Sequence, residues 1–267
     1  MSPMNNRLLV PRKVPGLLDL VPGAAAAYSL RSLSRSYAGP VVTVRRSSDD
    51  AEDSFTAAEV SDGTLAAFAG AGDAFVKQWW DQSGNARHAV AAADANEPQI
   101  VDSGVVVTEE GKPAILFDGS DDTLDATFPS FAACTAALVC TNNADNTEED
   151  RQDALRGPSG FLLASFVTGN QYRFRSASTN IDYYTVDKVQ HIHFATNNGA
   201  TSSARVDGGA ESTDSDTSPS GGAYQVGGNA PGGYGWSGTL QEVIVWPSDL
   251  SSQRELIEGN IAWGWSV

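Results

Sequence analysis

"GTLQEVIVWPSDLSSQRELIEGNIAWGW", residues 238–265, contains two periodicities in succession. "TLQEVIVW" alternates with the period of two that belongs to a strand. Pro247-Ser248-Asp249 breaks it. "LSSQRELIEGNIAWGWSV" then offers a serine cap, places Glu255 near the N-terminal end and continues at helical spacing, so a closing helix is expected. A long strand returning into a terminal helix sets the frame for the rest of the chain. Upstream, short β-branched and aromatic runs separated by Gly, Asn, Asp and Ser recur: 40–48, 74–80, several within 98–126, 161–178 around a turn at Thr168-Gly169-Asn170, and 189–209. Two short helices are expected besides the last, over 24–37 ("AAAAYSLRSLSRSY") and over 62–71, the latter closed by Gly70 and Gly72. The pattern is all-β. Residues 24–267 read as one sandwich domain, and 1–23, with Pro3, Pro11, Pro15 and Pro22, as an extended N-terminal arm. That arm is either a flexible leader or an anchor laid on a partner, with Pro11, Arg12, Lys13, Pro15, Leu17 and Leu18 as the anchoring residues.

The 267 residues carry a formal charge of −16 and a pI near 4.4. Such a surface argues against nucleic acid and anionic membrane as partners, since both are held by Lys and Arg. It also keeps the chain soluble through self-repulsion. Seven of the seventeen basic residues fall within the first 46 positions, so a basic front precedes an acidic body. Cys134 and Cys140 lie six positions apart in an expected strand. That is roughly 20 Å at ~3.3 Å per residue, whereas a disulfide needs Cα atoms within about 7 Å. They read as small buried apolar residues. Residues 1–20 lack the apolar core of a signal peptide, and no stretch has the length of a membrane span, so synthesis in the cytosol is expected.

Few residues point to chemistry. His191 and His193 share one strand face and could hold a metal, or could simply be packed there. Asp118, Asp121, Asp122 and Asp125 gather in "FDGSDDTLD", where Asp118, Asp121 and Asp122 are the candidates for Ca²⁺; a tight polar hairpin end is the alternative. No nucleophile elbow and no phosphate loop is present. Among carboxylates in apolar strand contexts, Asp81, Asp118 and Glu242 are the candidates for glycoside hydrolysis, which requires a pair. Trp80, Tyr234 and Trp236, with Asn229 in the Gly-rich loop beside them, are candidates for carbohydrate binding through sugar stacking; core filling is the competing fate for the aromatics. In "WWDQSGN" Asp81 and Asn85 are expected to close a tight turn, with Gly84 taking a positive φ.

"FDGSDDTL" (117–124), "ARVDGG" (204–209) and the 238–265 stretch together resemble the concanavalin A-like, laminin-G-like jelly rolls. The front half resembles the catalytic domain of family 54 α-L-arabinofuranosidases. The match runs through Tyr28-Ser29-Leu30, Tyr37, Gly39, Val44, Arg46, Ser48-Asp49, Asp81 to Asn85, and His88. The same block, with a start like "VPGLLDLVPGAAAAYSL" (14–30), also resembles structural proteins of tailed phages. The resemblance implies a concanavalin A-like jelly-roll sandwich. It also implies a catalytic glutamate in a cysteine-rich middle segment and an acidic aspartate in a late "GGDN"-type turn. Here residues 156–166 hold neither Cys nor Glu, and Asn229 stands at the aspartate's place.

On that basis the expectation is a protein without enzymatic activity or cofactor. It is a virion component on capsid or tail, made in the host cytoplasm, released by lysis and anchored by its arm. Its expected partners are other virion proteins, further copies of itself and host surface polysaccharide. A lectin-like module and an arabinofuranosidase are the alternatives.

Overall fold

The computed structural model describes residues 15–143, 152–158, 161–167, 171–176, 179–216, 222–228 and 234–267. The chain begins with α1 (Leu17–Leu20), β1 (Ala26–Ser29), β2 (Val42–Arg46), β3 (Glu52–Phe55), α2 (Ala57–Ser61), α3 (Thr64–Ala69) and β4 (Ala74–Trp79). Short strands follow: β5 (Ala89–Val90), β6 (Gln99–Asp102), β7 (Val105–Val106), β8 (Thr108–Glu109), β9 (Lys112–Pro113), β10 (Ile115–Asp118) and β11 (Leu124–Phe128). The body continues as β12 (Cys134–Asn142), β13 (Gln152–Arg156), β14 (Leu162–Val167), β15 (Gln171–Arg175), β16 (Ile181–Thr185) and β17 (His191–Asn197). It closes with β18 (Thr201–Val206), β19 (Ser212–Ser215), β20 (Gly222–Val226), β21 (Ser237–Trp246) and α4 (Arg254–Trp265).

The antiparallel ladders make a β-sandwich. One layer runs β3-β2-β4-β5-β11-β20-β13-β14-β15-β16. The other centres on β21, which has β12, β17, β18 and β19 to one side and β1 and β10 to the other. β6 pairs with both β4 and β10 and joins the layers at one edge. Burial follows position. β12 is buried at every residue because it is central and covered on both faces. β11 alternates, with Leu124, Ala126 and Phe128 inward and Asp125 and Thr127 outward. Trp79 and Trp80 face opposite ways, as strand geometry requires: Trp79 is in the core and Trp80 is half-buried. Cys134 and Cys140 are free thiols in the core, and burial pushes Cys134 up to about 12.

Three expectations need correction. Residues 26–29 form a strand instead of the centre of a helix. The alanines' helix preference loses to a complete ladder with β21, in which all of β1 is buried. The closing helix has no serine cap; a 3₁₀ turn over Ser251–Gln253, with Ser251 N–H donating to Asp249, leads into α4. Leu17 and Leu18, expected in an extended arm, lie in one helical turn packed on the domain, with Leu17 fully buried and Leu18 half-buried against the core. Asp19 fixes that turn by accepting from the Gly16 and Arg35 amides and the Ser34 hydroxyl, and these bonds hold its carboxyl well below the usual range. Pro15 accepts a long bond from Asn260 of α4, while Pro11, Arg12 and Lys13 lie outside the described residues.

Candidate functional site

The "DQSGN" turn builds one wall of a cleft. Asp81 is buried; its carboxylate accepts from the Ala27, Ser83 and Arg87 amides and from the Ser83 hydroxyl, at 2.8–3.0 Å. Gln82 donates to the Ser29 and Arg31 carbonyls and accepts from the Leu33 amide. Asn85 donates to the Ala24 and Ala25 carbonyls, and Gly84 has φ +88°. The motif therefore staples the end of β4 to β1 and fixes the backbone that carries Arg87 and His88. His88 Nδ1 accepts the Asp81 amide at 3.1 Å, which leaves Nε2 to carry the proton of the neutral ring. The His88 ring packs on Trp80 at 4.5 Å, and Trp80 Nε1 donates to Thr43 Oγ1.

The cleft floor is the outer face of the first layer. Register places Asp125, Gln225 and Arg156 side by side on β11, β20 and β13. Gln225 donates its amide to Asp125 at 3.1 Å. Arg156 is tied to the wholly buried Asp153 at 2.9 Å and stacks over the Tyr234 ring at 5.1 Å. Gly157 is required here, because a Cβ would lie 2.4 Å from the Tyr224 ring. Asp125, Gln225, Arg156 and Gly157, with Arg87 and His88 of the wall, line an open cleft of about 880 Å³. It presents two guanidinium groups, an imidazole, a carboxylate and an amide. Among the described residues, Asp125 is the carboxylate that lines it.

The structure divides the sequence candidates. Trp80 and Tyr234 reach the cleft's borders through His88 and Arg156. Trp236 is corrected: it is completely buried and cannot serve as an exposed platform. Asn229 lies outside the described residues. Asp81, Asp118 and Glu242 do not form a site. Asp81 closes its turn, and Glu242 is buried in a paired network with Arg31, Ser29 and Trp265. Asp118 sits at the end of β10 with Asp121 and Asp122, their ligand oxygens within 4.8 Å of one another. Among the described residues this is the one group of three metal-capable side chains. His191 and His193 are neighbours, but their nitrogens are engaged differently. His191 lies between Asp207 at 2.6 Å and Asp187 at 2.7 Å; burial disfavours its charge, yet these bonds carry it above the ordinary value. His193 is pushed down to about 3 by burial, with Nδ1 on the Tyr183 hydroxyl.

Burial, reinforced by Asp118 and Asp121, raises the Asp122 carboxyl from the ordinary 3.8 to about 7. The folded state thus holds this proton more tightly than the unfolded state. The stability it contributes is complete below about pH 4 and is lost as pH rises through about 7. Asp122→Asn is therefore expected to lose less stability than the wild type between pH 5 and pH 8. Urea midpoints at the two pH values measure this; equal losses in both proteins would contradict it.

No family model matches the chain, and no curated protein matches its sequence. Solved structures do match its fold. A GH54 α-L-arabinofuranosidase soaked with a cyclic sulfate inhibitor superposes with a TM-score of 0.68 at 17% identity, covering 91% of this chain and 63% of that one. An arabinofuranosidase complexed with arabinofuranosyl-α-1,2-xylobiose gives 0.62 at the same identity and coverage. Trypanosoma rangeli sialidase with 2,3-difluorosialic acid gives 0.50 at 16% identity over 70% of this chain and 31% of that one. The chain thus shares the β-sandwich of the arabinofuranosidases and spans 63% of their length.

The expectation of a protein without enzymatic activity is corrected, because the solved structures that share its fold include arabinofuranosidases, which are glycosidases. That expectation rested on residues 156–166 and on Asn229. Residues 159, 160 and 229 lie outside the described ones, and the cleft that is described does contain a carboxylate, Asp125.

In the sequence Asp125 stands out only as part of an acidic run, and nothing marks Arg87, Arg156 or Gln225. The available signal was the alternation of "LDATF", which turns Asp125 away from the core.

Proposed function

We propose that the chain is a carbohydrate-active sandwich that binds a glycoside in the cleft between the "DQSGN" wall and β11, β20 and β13, and that it hydrolyses a glycosidic bond there. The observation that carries this reading is the Asp125–Gln225–Arg156 row, flanked by Arg87 and His88 in one open cleft. Asp125 is the carboxylate placed for acid–base work, and His88 Nε2 takes the place of the second carboxylate of the usual pair as the other group able to carry a proton. Gln225 supplies a donor for sugar hydroxyls, and Trp80 and Tyr234 stiffen the borders. The arabinofuranosidase neighbours make an α-L-arabinofuranoside the first substrate to try. Calorimetric titration with arabinotriose tests the reading. Saturable binding that weakens on Gln225→Ala is the expected result, and binding of neither this nor an acidic oligosaccharide at millimolar concentration would overturn it.

The setting is proposed from the sequence: display on a virion, made in the host cytoplasm, with the proline-rich start as anchor. Self-association finds support in Leu256 and Trp263, which leave an exposed apolar stripe on α4, Trp263 being 69% exposed. Mass spectrometry of purified particles is expected to find the chain at a fixed ratio to the major capsid protein; its absence would remove this part of the proposal.

A further inference from the structure

The cleft's charge runs against that of the whole molecule. The chain carries −16, yet the cleft presents Arg87 and Arg156 against a single carboxylate, Asp125. Gln225 already donates to one oxygen of Asp125. Arg87 donates Nη1 to the Ala25 carbonyl at 2.6 Å and, among the described residues, has no carboxylate at ion-pair distance. Arg156 gives Nη1 to Asp153 and its face to Tyr234, and among the described residues its other terminal nitrogen has no hydrogen-bond partner. Elsewhere on the described surface, Arg45, Arg46, Arg173 and Arg254 each meet acidic side chains. A neutral sugar does not call for two guanidinium groups in one cleft of an acidic protein. A guanidinium fork matches a carboxylate in geometry and charge.

We infer that the glycan bound in this cleft is acidic, and that Arg87, with Arg156 beside it, receives the carboxylate of a uronic acid residue. Asp81 and Asp153 contribute by position. Asp81 accepts the Arg87 backbone amide and so fixes where that side chain starts. Asp153 holds Arg156 without occupying its whole fork. Asp125 opposes the anion, so it sets the spacing between the carboxylate subsite and the position of acid–base work. This inference rests on the glycan-cleft reading above.

The test is calorimetric titration of the full chain with trigalacturonate and with neutral arabinotriose, at low salt and with added salt. Trigalacturonate is expected to bind at least about tenfold more tightly, the scale of a charge-assisted hydrogen bond, and to lose that advantage as salt screens it. Arg87→Gln should erase the preference, bringing trigalacturonate down to the affinity that the same variant shows for arabinotriose, with circular dichroism confirming the fold. Asp125→Asn, an exposed isosteric change, should tighten trigalacturonate about two- to fivefold. Arabinotriose binding as well as or better than trigalacturonate would overturn the inference and leave the glycan cleft standing. Binding of neither would overturn both. Trigalacturonate affinity unchanged in both variants would also overturn it, because the carboxylate would then sit elsewhere.

Discussion

Asp125→Asn is expected to lower turnover of 4-nitrophenyl α-L-arabinofuranoside by about 10²- to 10⁴-fold, the usual contribution of a positioned acid or base. Asp125 lies on the outward face of β11 with its carboxylate in the cleft. Asparagine keeps the size of the side chain and the oxygen that accepts from Gln225, but it cannot exchange a proton at neutral pH. Stability should stay within about 0.5 kcal/mol of the wild type, as is usual for exposed positions. Loss of rate without loss of fold is therefore the expected signature. A variant as active as the wild type would show that Asp125 moves no proton, and the acid–base role would have to move to another group.

The largest stability effect is expected at Arg31→Met. Glu242 is fully buried in β21, the strand on which one layer is built. Arg31 grips it with two bonds, Nε to Oε2 at 2.7 Å and Nη2 to Oε1 at 2.9 Å. Ser29 Oγ and Trp265 Nε1 donate to the same carboxylate, and Arg31 Nη1 also reaches Asn260 of α4. The network therefore joins β1, β21 and α4. Removing Arg31 leaves a buried carboxylate with two neutral donors, which typically costs about 3–5 kcal/mol. Replacing both partners, as Arg31→Met with Glu242→Leu, should recover much of that loss because no buried charge remains. Urea unfolding of the three proteins measures this. A single variant within about 1 kcal/mol of the wild type, inside the range of an exposed pair, would mean that water reaches Glu242.

Much of the architecture is legible in the residues. "TLQEVIVW" followed by "RELIEGN" specifies a central strand and a closing helix, because a period of two and a period near four cannot be confused over that length. The "DQSGN" turn was also legible, since Asp, Asn and Gly each have a turn role of their own. Its reach to Ala24, Ala25 and Ala27 was not, because those bonds span about sixty positions and depend on β1 being a strand. The alanine run misleads on that point: its local preference is helical, and only a waiting partner on β21 reverses it. Trp236 is hidden from sequence reasoning for a related reason. A Gly-rich neighbourhood suggests exposure, but the Trp236 amide donates to the Gly227 carbonyl just ahead of β21 and the ring lies in the core. The cleft was the least visible feature. Arg87, Asp125, Arg156 and Gln225 come from four separate segments; register brings the last three together, and the "DQSGN" turn sets Arg87 beside them. No spacing in the sequence encodes that meeting.

The most direct test of the glycan cleft is a crystal structure of this protein soaked with arabinofuranosyl-xylobiose. Sugar density between Arg87–His88 and the Asp125–Gln225–Arg156 row is the predicted result. Density at another surface, with this cleft left to solvent, would contradict the account.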